Sequence, residues 1–115
     1  MPERRTVPRK KFALYMRVMD DDTGVQLGHM IEVSATGLQL ETTKKPPLER
    51  DYYLRLELTA ELADRPFIVF IARTKWVKSD DIQPNLFHVG FAITEILPDD
   101  KQIFVNLVQK YGSKK

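Results

Sequence analysis

The chain has no cysteine, which excludes a disulfide framework, a thiolate metal site, a cysteine nucleophile and dithiol redox chemistry. It has only two histidines, His29 and His88, so no metal site is expected. Its five glycines form no Gly-rich loop ahead of a helix, the device that cradles a nucleoside triphosphate. No apolar run approaches the roughly 20 residues of a membrane-spanning helix, so no membrane insertion is expected. The charged N-terminal residues are not followed by an apolar segment, so they do not read as a secretory signal. Ser34, Ser79 and Ser113 stand in no nucleophile motif, and neither a catalytic residue nor an enzyme is expected. Asp20-Asp21-Asp22 lacks the alternate spacing and distal Glu of a calcium loop and reads as a solvated turn.

What is present is one small domain: 115 residues, 43% hydrophobic and 30% charged. That apolar share is enough for one core. The net charge of +2 conceals an asymmetry. Residues 1–17 hold six basic side chains (Arg4, Arg5, Arg9, Lys10, Lys11, Arg17) against Glu3, a local charge of +5. Residues 18–115 hold twelve basic against fifteen acidic, a charge of −3. A basic arm ahead of a mildly acidic body points to an anionic partner; the plain alternative is a solvated terminus.

Most of the chain has the period of strands. Leu14, Met16 and Val18 alternate with polar or mixed neighbours, and Asp20 to Gly24 reads as a hairpin loop. Strict alternation then puts Val25, Leu27, His29, Ile31 and Val33 on one face of a second strand, with Gln26, Gly28, Met30, Glu32 and Ser34 on the other. Leu38 and Leu40 mark a third strand, and Tyr52, Leu54, Leu56 and Leu58 a fourth. The continuous run Phe67 to Ile71 suits a strand buried on both faces, continuing towards Val77. There Trp76 shares a face with Ala72, Thr74 and Lys78, and reads first as barrel packing. Phe87, Val89, Phe91 and Ile93 alternate in the last strand, where His88 reads as a partly exposed structural residue.

Ile103, Phe104, Leu107, Val108 and Tyr111 recur at three and four, the period of an amphipathic helix. Asp99 is its expected N-cap, with Gln102 completing a capping box, and Gly112 its stop. The expected architecture is mainly all-β: a six-stranded antiparallel barrel with a C-terminal helix and a flexible basic N-terminal arm. The arm takes residues 1–12, the barrel 13–97 and the helix 98–112.

Two short motifs stand out: Arg4-Arg5-Thr6-Val7-Pro8-Arg9 and Glu32-Val33-Ser34-Ala35-Thr36-Gly37. Together they resemble the PilZ domain family, whose signature is R-x-x-x-R followed some 20–30 residues later by D/N-x-S-x-x-G. The likeness continues through Gly37-Leu38-Gln39-Leu40, Thr74 to Lys78, Phe87 to Ile93 and the terminal helix, and so covers nearly the whole chain.

The resemblance implies a bacterial, cytoplasmic receptor for cyclic di-GMP that needs no cofactor and signals to a downstream protein. Arg5 and Arg9 match the two motif arginines, which hold the phosphates and the O6/N7 edge of a guanine. Ser34 and Gly37 match the motif Ser and Gly. Arg4 matches the additional Arg that goes with two intercalated ligand molecules per chain rather than one. Trp76, through stacking, and Lys10 are further candidates. The chemistry agrees, since guanine O6 and N7 are both acceptors that a planar Arg fork meets bidentately. Gly37 suits a tight turn with positive φ and close backbone approach.

Glu32 departs from the family's Asp or Asn. It keeps an acceptor carboxylate for guanine N1–H and N2–H, but is one methylene longer. That departure is the one feature favouring a rival reading, a PilZ-fold adaptor that acts by protein contact without ligand. Nucleic-acid binding by the arm is a third, and would show steep salt dependence.

Overall fold

The structure is a computed structural model that describes residues 16–60 and 63–112. Its strands are β1 (Arg17–Asp20), β2 (Gln26–Ser34), β3 (Gly37–Thr42), β4 (Asp51–Glu57), β5 (Phe67–Ser79) and β6 (Phe87–Ile96). They close into an antiparallel barrel in the order β1-β2-β3-β6-β5-β4. Two three-stranded meanders thus meet at β1–β4 and β3–β6. The loop from Asp20 to Gly24 is a hairpin turn, in which Asp20 Oδ1 accepts from the Asp22 and Thr23 amides and Gly24 takes a φ of 76°.

Inward residues fill the barrel: Met16, Val18, Met30, Val33, Leu38, Leu40, Leu54, Leu56, Ile68, Phe70, Ala72, Val89 and Phe91 are all buried. The alternation expected for β2 does not hold throughout. Met30 pairs with Leu40 and Glu32 with Gln39, so Ile31 is an extra residue, a β-bulge. The bulge changes which parity faces inward. Gly28 and Met30 are buried before it, and Val33 after it, rather than His29, Ile31 and Val33 together.

A second bulge does the same in β5. Thr74 pairs with Phe91 and Trp76 with Gly90, leaving Lys75 as the extra residue. Trp76 therefore leaves the face of Ala72 and Thr74 and turns outward, 41% exposed, instead of packing in the barrel. The run Phe67 to Ile71 is buried on one face only. Ile68 and Phe70 are inside, Phe67 is exposed, and Val69 and Ile71 are half-buried. A closed single-layer barrel has one core, so the second face of each strand meets solvent unless something covers it.

Helix α1 (Pro98–Tyr111) lays Phe104 and Leu107 into the core, with the Phe104 ring 6.1 Å from that of Phe70. It starts two residues earlier than Asp99 capping requires. Leu97 occupies the N-cap position without a side-chain cap, and Pro98 begins the helix. Proline suits that first position because its φ is already helical and its missing N–H had no partner to lose. Gln102 donates to Asn106 rather than completing a capping box. Gly112 closes the helix through its amide on the Val108 carbonyl.

The carboxylate of buried Asp100 ties α1 to the barrel. It accepts from the Val69 amide at 3.3 Å and pairs with the Arg65 guanidinium. Asp100→Ala would strand that amide and free the helix start. The expected loss is about 1–3 kcal/mol, the cost of leaving a buried polar group unsatisfied. Chemical denaturation checks it, and an unchanged midpoint would show that the carboxylate does not hold the helix.

Candidate functional site

The two bulges have a joint consequence. Glu32 on β2 is opposite Gln39 on β3, Gln39 is opposite Gly90 on β6, and Gly90 is opposite Trp76 on β5. These four residues form one rung across four neighbouring strands, on the outer face of the barrel. With strands about 4.8 Å apart, the rung spans about 14 Å. Without its bulge, β2 would continue the inward parity of Met30 and turn Glu32 into the core. Likewise β5 would continue that of Thr74 and bury Trp76. Each extra residue re-aims one candidate side chain.

Gly90 has to lack a side chain here. A Cβ on it would collide with the Trp76 indole, which lies directly over it. Gly37, paired with Ser34 across the two-residue turn Ala35-Thr36, is equally constrained, because a Cβ there would collide with the Phe91 carbonyl oxygen. Its φ is not positive, however; among the described residues only Gly24 and Glu49 have that conformation. Close approach, not left-handed backbone, accounts for Gly37.

The outcome is an open pocket of ≈ 200 Å³. Gly37, Gly90 and Ala92 are among its small lining residues, and Glu32, Ser34, Gln39, Lys75 and Trp76 supply its chemistry. Of the residues expected from the motifs, Glu32, Ser34 and Gly37 come together here, and Trp76 joins them. Arg4, Arg5, Arg9 and Lys10 lie outside the described residues. Gln39 and Lys75 belong to the site without having been expected there. The only signal for Gln39 was the outward register of a strand with Leu38 and Leu40 inside. For Lys75 there was none, since a bulge leaves no composition mark.

The polar groups of the site are held from behind. Gln39 Nε2 donates to Glu32 Oε1 at 2.8 Å. Lys75 Nζ donates to Glu49 Oε1 at 3.2 Å. Glu49 is in turn placed by fully buried Thr74, whose backbone carbonyl accepts from the Glu49 amide at 2.7 Å. The Thr74 hydroxyl also donates to the Pro47 carbonyl at 2.7 Å and accepts from the Arg50 amide at 3.0 Å. Beyond Trp76, Asp80 accepts from the Gln83 and Ile82 amides and engages His88 Nε2 at 2.9 Å. Those amide donors, with a smaller contribution from His88, hold its carboxyl below the ordinary carboxylate range. Among the described residues no group of acidic or histidine side chains could hold a metal ion, and no helix is long and apolar enough to cross a membrane.

A family model for the PilZ domain matches residues 3–110. The chain belongs to the PilZ domain family. PilZ is a cyclic di-GMP-binding family whose members are binding and adaptor proteins rather than enzymes. Among solved structures, this PilZ domain is similar to the Bacillus subtilis inhibitor of motility (MotI/DgrA), with a TM-score of 0.64 and 13% sequence identity. The similarity covers 87% of this chain and 48% of that one, so the chain spans about half the length of that protein, and the likeness is one of fold. No curated protein matches the chain significantly.

The Gly90 contact has a direct test. Gly90→Ala should push the indole off the strand at a cost of about 1–3 kcal/mol, typical of overpacking. Trp76 is the only tryptophan, so its emission reports the move without ambiguity. A red shift with the far-ultraviolet dichroism retained is expected, whereas unchanged emission would show that the ring does not rest on Gly90.

Proposed function

We propose that this PilZ domain is a cyclic di-GMP receptor. The observation that carries the reading is the rung itself, which sets a carboxylate at one end and, at the other, an aromatic ring seated on Gly90. A guanine presents complementary chemistry. Its N1–H and N2–H donors suit the Glu32 carboxylate, and its π-face suits the half-exposed indole of Trp76. Gly90 seats the indole against β6, and Gly37 makes room for the Phe91 carbonyl, so the two glycines shape the wall that the ligand would meet. Ser34, at the end of β2, offers a hydroxyl to a base or phosphate.

The remaining chemistry falls to the arm. Arg5 and Arg9 would hold the phosphates and the O6/N7 edge, with Lys10 adding positive potential and Arg4 serving a second, intercalated ligand molecule. Ordering a segment costs about 1–2 kcal/mol per residue fixed. Charge-assisted bonds of about 1.5–3 kcal/mol each offset that. The arm therefore works as a ligand-biased switch, and the surface it exposes or covers is what a downstream protein reads. The setting is the cytoplasm of a bacterium, where the messenger is made.

Calorimetric titration with cyclic di-GMP tests the reading. Binding is expected, and Arg5→Ala or Arg9→Ala should each weaken it about 10- to 150-fold, the equivalent of one charge-assisted contact. Absence of heat at tens of micromolar ligand would leave the adaptor reading instead. The stoichiometry should approach two ligands per chain, falling to one in Arg4→Ala; a one-to-one native titration refutes the role given to Arg4.

A further inference from the structure

Glu32 is a longer acid than the motif requires, and it is not left to rotate. Its partner across the strand pair is Gln39, which has Leu38 and Leu40 buried on either side and therefore faces outward with it. The amide Nε2 of Gln39 donates to Glu32 Oε1 at 2.8 Å. A carboxylate has about four acceptor positions, two on each oxygen. One donor on Oε1 leaves the second position of that oxygen and both of Oε2 open. Two parallel donors 2.7–2.9 Å away, such as N1–H and N2–H of one guanine, can still be accepted side by side.

We infer that Gln39 is a positioning residue that sets guanine specificity by fixing the Glu32 carboxylate towards the pocket. Glutamate has one more rotatable bond than aspartate and aims less definitely. The Gln39 amide removes that freedom before ligand arrives. A shorter acid needs no tether, because its carboxylate is already confined near the strand. The inference rests on the receptor reading and goes beyond it, since nothing in the two motifs involves residue 39.

The test is a double-mutant cycle read with two ligands. Gln39→Leu keeps the side-chain bulk and removes the donor. It should weaken cyclic di-GMP binding about 3- to 10-fold, the cost of immobilising one long side chain on binding. Cyclic di-IMP lacks the guanine N2 amino group, so Gln39→Leu should weaken it less and narrow the preference for cyclic di-GMP. In a Glu32→Asp background the same Gln39→Leu change should have little effect on either ligand. Gln39→Glu, which sets like charges opposite one another, should exceed Gln39→Leu in its loss. Equal losses for both ligands, or an undiminished loss in the Glu32→Asp background, overturn the inference while leaving the receptor reading in place. No binding of either ligand by the native chain overturns both.

Discussion

A closed antiparallel barrel offers each strand one wet face, and side chains reach that face at every second residue. This constraint decides what the molecule can present. On β2 the inward set before Ile31 is Gly28 and Met30, which by simple alternation would carry Glu32 inside. On β5 the inward set is Ile68, Phe70, Ala72 and Thr74, which would carry Trp76 inside. A charged carboxylate in an apolar core is costly without a partner, and an indole there would need both volume and an acceptor for its N–H. One extra residue in each strand resolves both conflicts. The site thus depends on two local departures from regular pairing, at Ile31 and Lys75.

Such departures need a stiff frame. Two strands lie between them, β3 and β6, and each is paired on both sides, β3 to β2 and β6, and β6 to β3 and β5. Thr74, just before the β5 bulge, is fully buried and hydrogen-bonded to the 47–50 loop on both backbone and hydroxyl. That loop carries Glu49 to Lys75, so the residue displaced by the bulge is also tethered. At the barrel's end, Asp100 joins α1 to the β5 backbone at Val69, near the buried aromatic contact of Phe70 with Phe104. The site and the helix therefore share one strand, β5, which runs from the Val69 anchor to the rung residue Trp76.

The sequence makes the strands, their order along the chain and the terminal helix legible, because period-2 patterns such as Leu54-x-Leu56 and Phe87-x-Val89-x-Phe91 survive intact where the pairing is regular. It leaves the bulges hidden. Ile31 and Lys75 are ordinary strand residues, and a one-residue slip reverses every later side chain without changing composition. Simple alternation consequently puts Met30 and Trp76 on the wrong faces. The helix start departs from expectation for a different reason: Asp99 has the chemistry of a cap, but Pro98 has the stronger geometric claim on the first turn. At the site, Glu32, Ser34 and Gly37 were legible as a motif. Gln39 was not, since its role comes from the neighbour that register places opposite it.

The size and charge of the rung pocket bear on why a barrel with these residues carries a basic arm. A pocket of ≈ 200 Å³ is below the roughly 300–1,000 Å³ of sites that enclose a drug-sized ligand. It suits part of a dinucleotide, with the remainder outside the walls. The barrel is also a poor electrostatic host for a dianion, because residues 18–115 carry −3 and the rung contributes a carboxylate of its own. Within the pocket, Lys75 is the cationic side chain, and Glu49 already pairs with it. On the receptor reading, the barrel then reads a guanine and supplies little attraction for phosphate. On the same reading the arm, with +4 over residues 1–12, would supply that attraction and, through Arg5 and Arg9, a further contact to the guanine edge. On this reading the contacts are divided between two segments of the chain, so that ligand would be held only when the two come together. Such a division makes binding and the switch a single event.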